Sequence, residues 1–143
     1  MRRAGVTLLE LAVVLMLMGI AGAALLPAAR VAADRAAVAG ARETVAGLVA
    51  RTRTEAMLRG GAALHARVAD RAVWVQVGDS LLEVHRLGEE FGVTLSLGGT
   101  AREAELAFDA LGLGRRASST IVFRRGGAEA RLVIAAYGRA VRS

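Results

Sequence analysis

From Val6 to Ala29 runs a largely apolar stretch of 24 residues whose only charge is Glu10. Read as an α-helix, the run is about 36 Å long, enough to cross a hydrocarbon core of about 30 Å. Gly19 and Gly22, with Ala21, Ala23 and Ala24, supply small surfaces for close helix packing. Beyond Pro27 the pattern turns amphipathic. Val31, Val38, Ala41, Val45, Leu48, Val49, Thr52 and Ala56 recur at steps of three, four and seven, while Arg35, Arg42, Glu43, Arg53 and Glu55 fall mainly on other faces. The spacing predicts one helix continuing to about Arg59, with Glu55 and Arg59 as a favourable i,i+4 pair. Pro27 removes one backbone hydrogen bond and is expected to kink this rod rather than end it. A rod of 54 residues, roughly 80 Å long, cannot be buried by the 84 residues that follow. Its first half must lie in lipid or among other helices.

At Gly60-Gly61 the helical period stops and alternation takes over. Leu64 to Val68 and Ala72 to Val77 read as a pair of strands turning at Asp70-Arg71, and Gly78-Asp79 leads into a third from Leu81 to Leu87. Phe91 to Leu97 is a fourth, ended by Gly98-Gly99, and the Ala/Glu-rich stretch from Thr100 to Leu113 reads as a short helix or a loop. Ser119 to Arg125 and Ala128 to Ala136 form the clearest hairpin, turning at Gly126-Gly127. Gly138 breaks that strand before a short closing one, Arg139 to Arg142. The pattern predicts an α+β chain: a long N-terminal membrane-spanning and amphipathic helix, then a small antiparallel β head.

Composition adds exclusions. Of the 143 residues 55% are apolar, which rules out a disordered tail, and five aromatics leave the core aliphatic. The absence of cysteine removes disulfides, thiol catalysis and thiolate-bound metal. All 19 basic residues are arginine, beside abundant Ala and Gly, a signature of base composition in the gene; the formal net charge of +6 is discounted as a sign of nucleic acid. Charge around the apolar run does carry information. Arg2, Arg3 and the starting amine precede it, whereas Arg30, Asp34 and Arg35 after it sum to +1, which places the N-terminus in the cytoplasm and the remainder outside. A secretory signal peptide with its cleavage site at Ala21-Gly22-Ala23 is the rival reading. Glu10 argues against it, because an acid inside the apolar run costs about 2.5–3.5 kcal/mol near a helix centre in lipid and somewhat less near an end. So does a helical pattern that runs far past that site.

A carboxylate held in an apolar bundle calls for an opposite charge. The run Gly5-Val6-Thr7-Leu8-Leu9-Glu10-Leu11, directly after Arg2-Arg3-Ala4, resembles the class III signal of type IV pilins and type II secretion pseudopilins. The resemblance implies cleavage between Gly5 and Val6 by a prepilin peptidase and N-methylation of Val6, where the family usually has Phe. It implies too that Glu10 pairs with the N-terminal amine of a neighbouring subunit, and that Pro27 stands where the family's helix bends or melts during assembly. Phe108 to Gly112, Thr120 to Phe123, Arg131 to Ile134 and the closing Gly138-Arg139 look like the C-terminal half of the GspH/FimT pseudopilins. That group includes the minor pseudopilin H of type II secretion and a minor type IV pilin implicated in DNA uptake.

Side-chain chemistry points away from catalysis. His65 and His85 fall on different expected strands with no acid at ligand or triad spacing, and read as exposed or half-buried strand residues. Ser80 and Ser118-Ser119 lack a nucleophile elbow, and Gly98-Gly99 and Gly112-Leu113-Gly114 lack the surroundings of a phosphate loop. Glu89-Glu90, Glu103 and Glu105 show no calcium-ligand spacing and read as solvated charges. No catalytic residue, metal site or cofactor is expected. A nucleic-acid reading rests on the last 34 residues, where Arg115, Arg116, Arg124, Arg125, Arg131, Arg139 and Arg142 stand against one acid, Glu129. Phe123 and Tyr137 either stack bases there or pack in the core. The DNA-binding branch ends in Gly-Arg-x-Arg, both arginines on one strand face. Here Gly138-Arg139-Ala140-Val141-Arg142 holds one residue more, so Arg139 and Arg142 are expected on opposite faces.

The readings converge on a minor pseudopilin of the H type, a structural subunit of a type II secretion pseudopilus. Residues 1–5 would be its leader, 6–29 the membrane half of the helix, 30–59 the amphipathic half and 60–143 the head. Its expected partners are other pseudopilins, prepilin peptidase, inner-membrane lipid and, at the head, secreted substrate. The expected location is the inner membrane with the N-terminus cytoplasmic and the head periplasmic, and the pseudopilus after assembly. The alternative is a minor type IV pilin that binds DNA through Arg115, Arg116, Arg124, Arg125, Arg139 and Arg142.

Overall fold

The computed structural model describes residues 7–114, 118–135 and 140–142. One helix, α1, spans Leu8–Arg59. The Thr7 hydroxyl accepts the Glu10 N–H at 3.2 Å and the Thr7 carbonyl accepts the Leu11 N–H at 3.1 Å, so Thr7 caps the first turn. Pro27 lies inside the helix and does not end it. Gly60 does, at φ +85°, a left-handed conformation that glycine adopts without a Cβ clash.

The chain divides into two units, Met1–Ala33 and Asp34–Ser143. In the first, every described residue is exposed, Leu8 at 87%, in a helix long and apolar enough to cross a membrane.

In the second unit α1 buries Val38, Ala41, Val45, Ala46, Leu48, Val49, Thr52 and Ala56. This is the expected stripe with two corrections. Val31 belongs to the first unit and stays 48% exposed, and Ala46 joins the buried face. The hydroxyl of Thr52, fully buried, donates to the Leu48 carbonyl at 2.7 Å, which is how a polar side chain is tolerated there. The expected Glu55–Arg59 pair forms at 2.9 Å.

The remaining elements are β1 (Gly61–Arg67), β2 (Ala72–Val77), β3 (Ser80–Arg86), α2 (Leu87–Glu90), β4 (Thr94–Leu97), β5 (Glu103–Asp109), β6 (Ser119–Arg125), β7 (Ala128–Ile134) and β8 (Ala140–Arg142). They form two antiparallel sheets, ordered β3-β2-β1-β5 and β4-β6-β7-β8. Leu64, Val73, Val75, Leu106 and Phe108 of the first, and Leu95, Leu97, Ile121, Phe123, Leu132 and Ile134 of the second, join the helix stripe in one core.

Half of the stretch from Thr100 to Leu113 is neither helix nor loop. Glu103–Asp109 pairs along all of β1, with Leu106 opposite Leu64 and Phe108 opposite Ala62. Its acids sit at odd positions and its buried residues at even ones, a period of two that Ala and Glu, poor strand formers, disguise. Two shorter corrections apply. Leu87 opens α2 instead of closing a strand, and Phe91 caps that helix, so β4 starts only at Thr94.

Candidate functional site

Glu10 is the third residue of α1. With Thr7 as cap, Thr7-Leu8-Leu9-Glu10 has the spacing of a capping box, a signal the sequence reading passed over. A carboxylate in the first turn also faces the positive end of the helix dipole. Gly5 and Val6 lie outside the described residues.

The basic hairpin is largely engaged in ion pairs. Glu129 takes Arg124 at 2.7 Å through one oxygen and Arg131 at 2.6 Å through the other. Arg124 first, then Arg131, holds its carboxyl below the ordinary range. Arg125, next to Arg124 on β6, reaches Asp34 of α1 at 3.0 Å and donates to the Phe91 carbonyl at 2.7 Å. Gly126 is required beside this clasp, because its φ is +53° and a Cβ would run into the Asp34 carboxylate. Arg142 lies in β8 opposite Leu132, and Arg115, Arg116, Arg139 and Tyr137 lie outside the described residues. Phe123 is fully buried, so it packs in the core and stacks no base.

Contrary to the expectation from spacing, His85 has acidic partners: its Nδ1 lies 2.9 Å from Glu90 and its Nε2 lies 2.9 Å from Glu83. Glu83 in turn pairs with Arg51 of α1 at 2.7 Å. Glu90 is five residues from His85 across a strand-to-helix turn, a proximity no fixed spacing advertises. His65 stacks on Trp74, its cross-strand partner, at 5.2 Å and 11°, and the Arg67 guanidinium lies 5.2 Å from the same ring. Arg67 also pairs with Glu103 at 2.7 Å and Asp70 at 3.2 Å, so Glu103 and Glu90 are not simply solvated charges. Among the described residues no group of three His, Asp or Glu side chains is arranged to hold a metal ion.

The two carboxylates, Glu90 foremost and then Glu83, raise the His85 pKa above its ordinary value. A raised histidine pKa contributes stability that is complete below the unfolded value, about 6.5, and is lost as pH rises through the folded value. The melting midpoint of the wild-type chain should therefore exceed that of His85→Gln in mild acid, and the gap should close as the solution is made alkaline. Parallel pH profiles for the two proteins would contradict this role.

No protein-family model matches the chain, and no curated protein does. Two crystal structures of the type IV minor pilin FimU from Pseudomonas aeruginosa (strain PAO1) are similar to it. The form in space group P21 is 18% identical over 74% of this chain and 87% of that one, with a TM-score of 0.61. The P65 form is 19% identical over 73% and 90%, with a TM-score of 0.58. With its long apolar N-terminal helix and antiparallel sheets, the chain has the pilin fold.

Proposed function

We propose that the chain is a minor pilin-like subunit that is anchored in the inner membrane and assembles into a filament through the N-terminal half of α1. The observation that carries the reading is the exposure of every described residue of the apolar first unit, in a chain with a pilin fold. An apolar surface of that extent needs lipid before assembly and other helices after it. Prepilin peptidase would cut between Gly5 and Val6 and leave Val6 methylated. Glu10 would pair with a neighbour's terminal amine, and residues 60–143 would form the head outside the membrane.

Of the two filament systems, we favour the type II secretion pseudopilus, with the chain as its H-type minor pseudopilin. The spacing of Arg139 and Arg142 departs from the DNA-binding tail. The ion pairs on Arg124, Arg125 and Arg131 further reduce the positive charge open to a phosphate backbone. The mature protein, isolated from membranes, is expected to begin at Val6 with an N-methyl group by intact mass and N-terminal sequencing. A mature start near Ala24 would identify an ordinary signal peptide and remove the filament reading.

A further inference from the structure

Of the large apolar side chains exposed in the second unit, all but Val141 fall in two places among the described residues. The first is a knob at the end of α1. Met57 and Leu58 stand exposed in the last turn of that helix, and the loop after β5 adds Leu113 and Leu111, the latter 73% exposed. The loop is built to hold them. Asp109 Oδ1 accepts the Leu111 N–H at 2.9 Å and the Leu113 N–H at 3.0 Å, and the Asp109 carbonyl accepts the Gly112 N–H at 2.8 Å. Gly112, at φ +69°, lies against Arg53 and Met57, so closely that a Cβ there would crowd both side chains. An ordered loop that leaves two leucines in water is a surface shaped for contact, with little ordering left to lose on binding.

The second place is a groove of about 250 Å³ on the face of β2 and β3 turned away from the core, lined by Trp74, Leu81 and Val84 with Arg67, Asp70 and Arg86. Val84 stands opposite Trp74, and the indole is braced by the His65 stack and the Arg67 guanidinium. Leu81 is 60% exposed. Carboxylates outnumber arginines around this groove. Arg67 meets both Asp70 and Glu103, and near Arg86 stand Glu89, at 3.8 Å, and Glu90, which takes the Arg86 backbone N–H. The knob has the opposite charge. Arg53 is exposed and pairs with no carboxylate among the described residues, whereas Asp109 turns its carboxylate onto the loop's own N–H groups and Glu55 is taken by Arg59.

We propose that the knob of one copy seats in the groove of a second copy, a head-to-tail contact made by side chains alone. Leu111 would lie beside Trp74 and Leu81, and Arg53 would face the acids at the groove's margin. One chain cannot satisfy itself. Strand β1 runs from Gly61, opposite Asp109 at the knob, to Arg67 at the groove, six strand steps or about 20 Å. The two surfaces differ, so each contact leaves a free knob on one copy and a free groove on the other, and the association propagates instead of closing into a pair. Knob-to-knob pairing would set Arg53 against Arg53. A few side chains make a contact of the weak, transient class, with a Kd of about 0.1–1 mM. That is enough where chains are concentrated in one membrane. The inference stands apart from the filament reading, which rests on the other half of α1.

Trp74 is the chain's single tryptophan and lies in the groove. The full chain in detergent micelles is followed by sedimentation and by Trp74 emission from about 10 μM to about 1 mM. The wild type should form growing oligomers with a shift in Trp74 emission. Leu111→Gln blunts the knob and Leu81→Thr the groove, both at exposed positions. Each should weaken association at least about tenfold, the worth of one buried leucine, at an unchanged melting midpoint. An equimolar mixture of the two variants should associate again but stop at two chains, because only one intact knob and one intact groove meet. Should either variant unfold, Arg53→Gln serves: it should weaken association about threefold and remove its dependence on salt. A wild type that stays monomeric, a mixture that does not associate, or a salt dependence that survives Arg53→Gln overturns the proposal. So does Leu81→Thr associating like the wild type, the mark of knob-to-knob contact. Association untouched by Leu111→Gln overturns it too and places the contact in the apolar half of α1, which every variant shares.

Discussion

Phe123→Ala is expected to destabilise the head by about 3–5 kcal/mol, the range for truncating a buried aromatic. The ring is fully buried at the centre of the second sheet, where Phe123 stands between Leu95 of β4 and Ala130 of β7. Core neighbours there are short or branched aliphatics on paired strands, and paired strands do not close on a hole the size of a phenyl group. With a whole domain stable by only about 5–15 kcal/mol, this one change removes a large share of the total. Denaturant titration of the full chain in detergent, followed through Trp74, measures it. A loss below about 1 kcal/mol would mean that the core repacks around the site.

Glu10→Val has the largest expected effect on function. Membrane insertion should be unchanged, because the substitution makes the helix more apolar. Joining a filament should fall by at least tenfold, because removing one partner of a buried ion pair costs about 3–5 kcal/mol. The Thr7 cap offers a competing explanation, and the geometry limits its size. Valine keeps the backbone N–H that Thr7 accepts, so the local loss is limited to the capping-box side chain and its interaction with the helix dipole, about 0.3–1.5 kcal/mol. Glu10→Gln separates the two: it keeps a capping side chain and loses the charge. Under ion pairing both variants fail to enter the sheared filament fraction, whereas glutamine is tolerated if Glu10 only caps. Unchanged co-assembly of Glu10→Val would sink the pairing.

The division of labour between sequence and structure follows the range of the forces involved. Periodicity alone determined α1 to its last residue, seven of its eight buried positions and the hairpin from Ser119 through Gly126-Gly127, because each depends on neighbours within four positions or across a tight turn. The expectation of a long apolar helix with an antiparallel head was likewise legible, and the pilin fold bears it out.

Tertiary structure alone decided what distant segments do for one another. Glu103–Asp109 is a strand because β1, some forty residues earlier, offers an edge and a core for Leu106 and Phe108; its own propensities argue otherwise. The split into two sheets is of the same kind. Arg124 and Arg125 looked like one patch in the sequence, yet strand alternation sends the first to Glu129 and the second to Asp34. Glu83, His85, Glu90 and Arg51 meet only once a strand, a short turn of helix and α1 are packed together. A linear pattern records which faces a segment has. Which partner each face finds is set by packing, where burial and ion-pair geometry outweigh local preference.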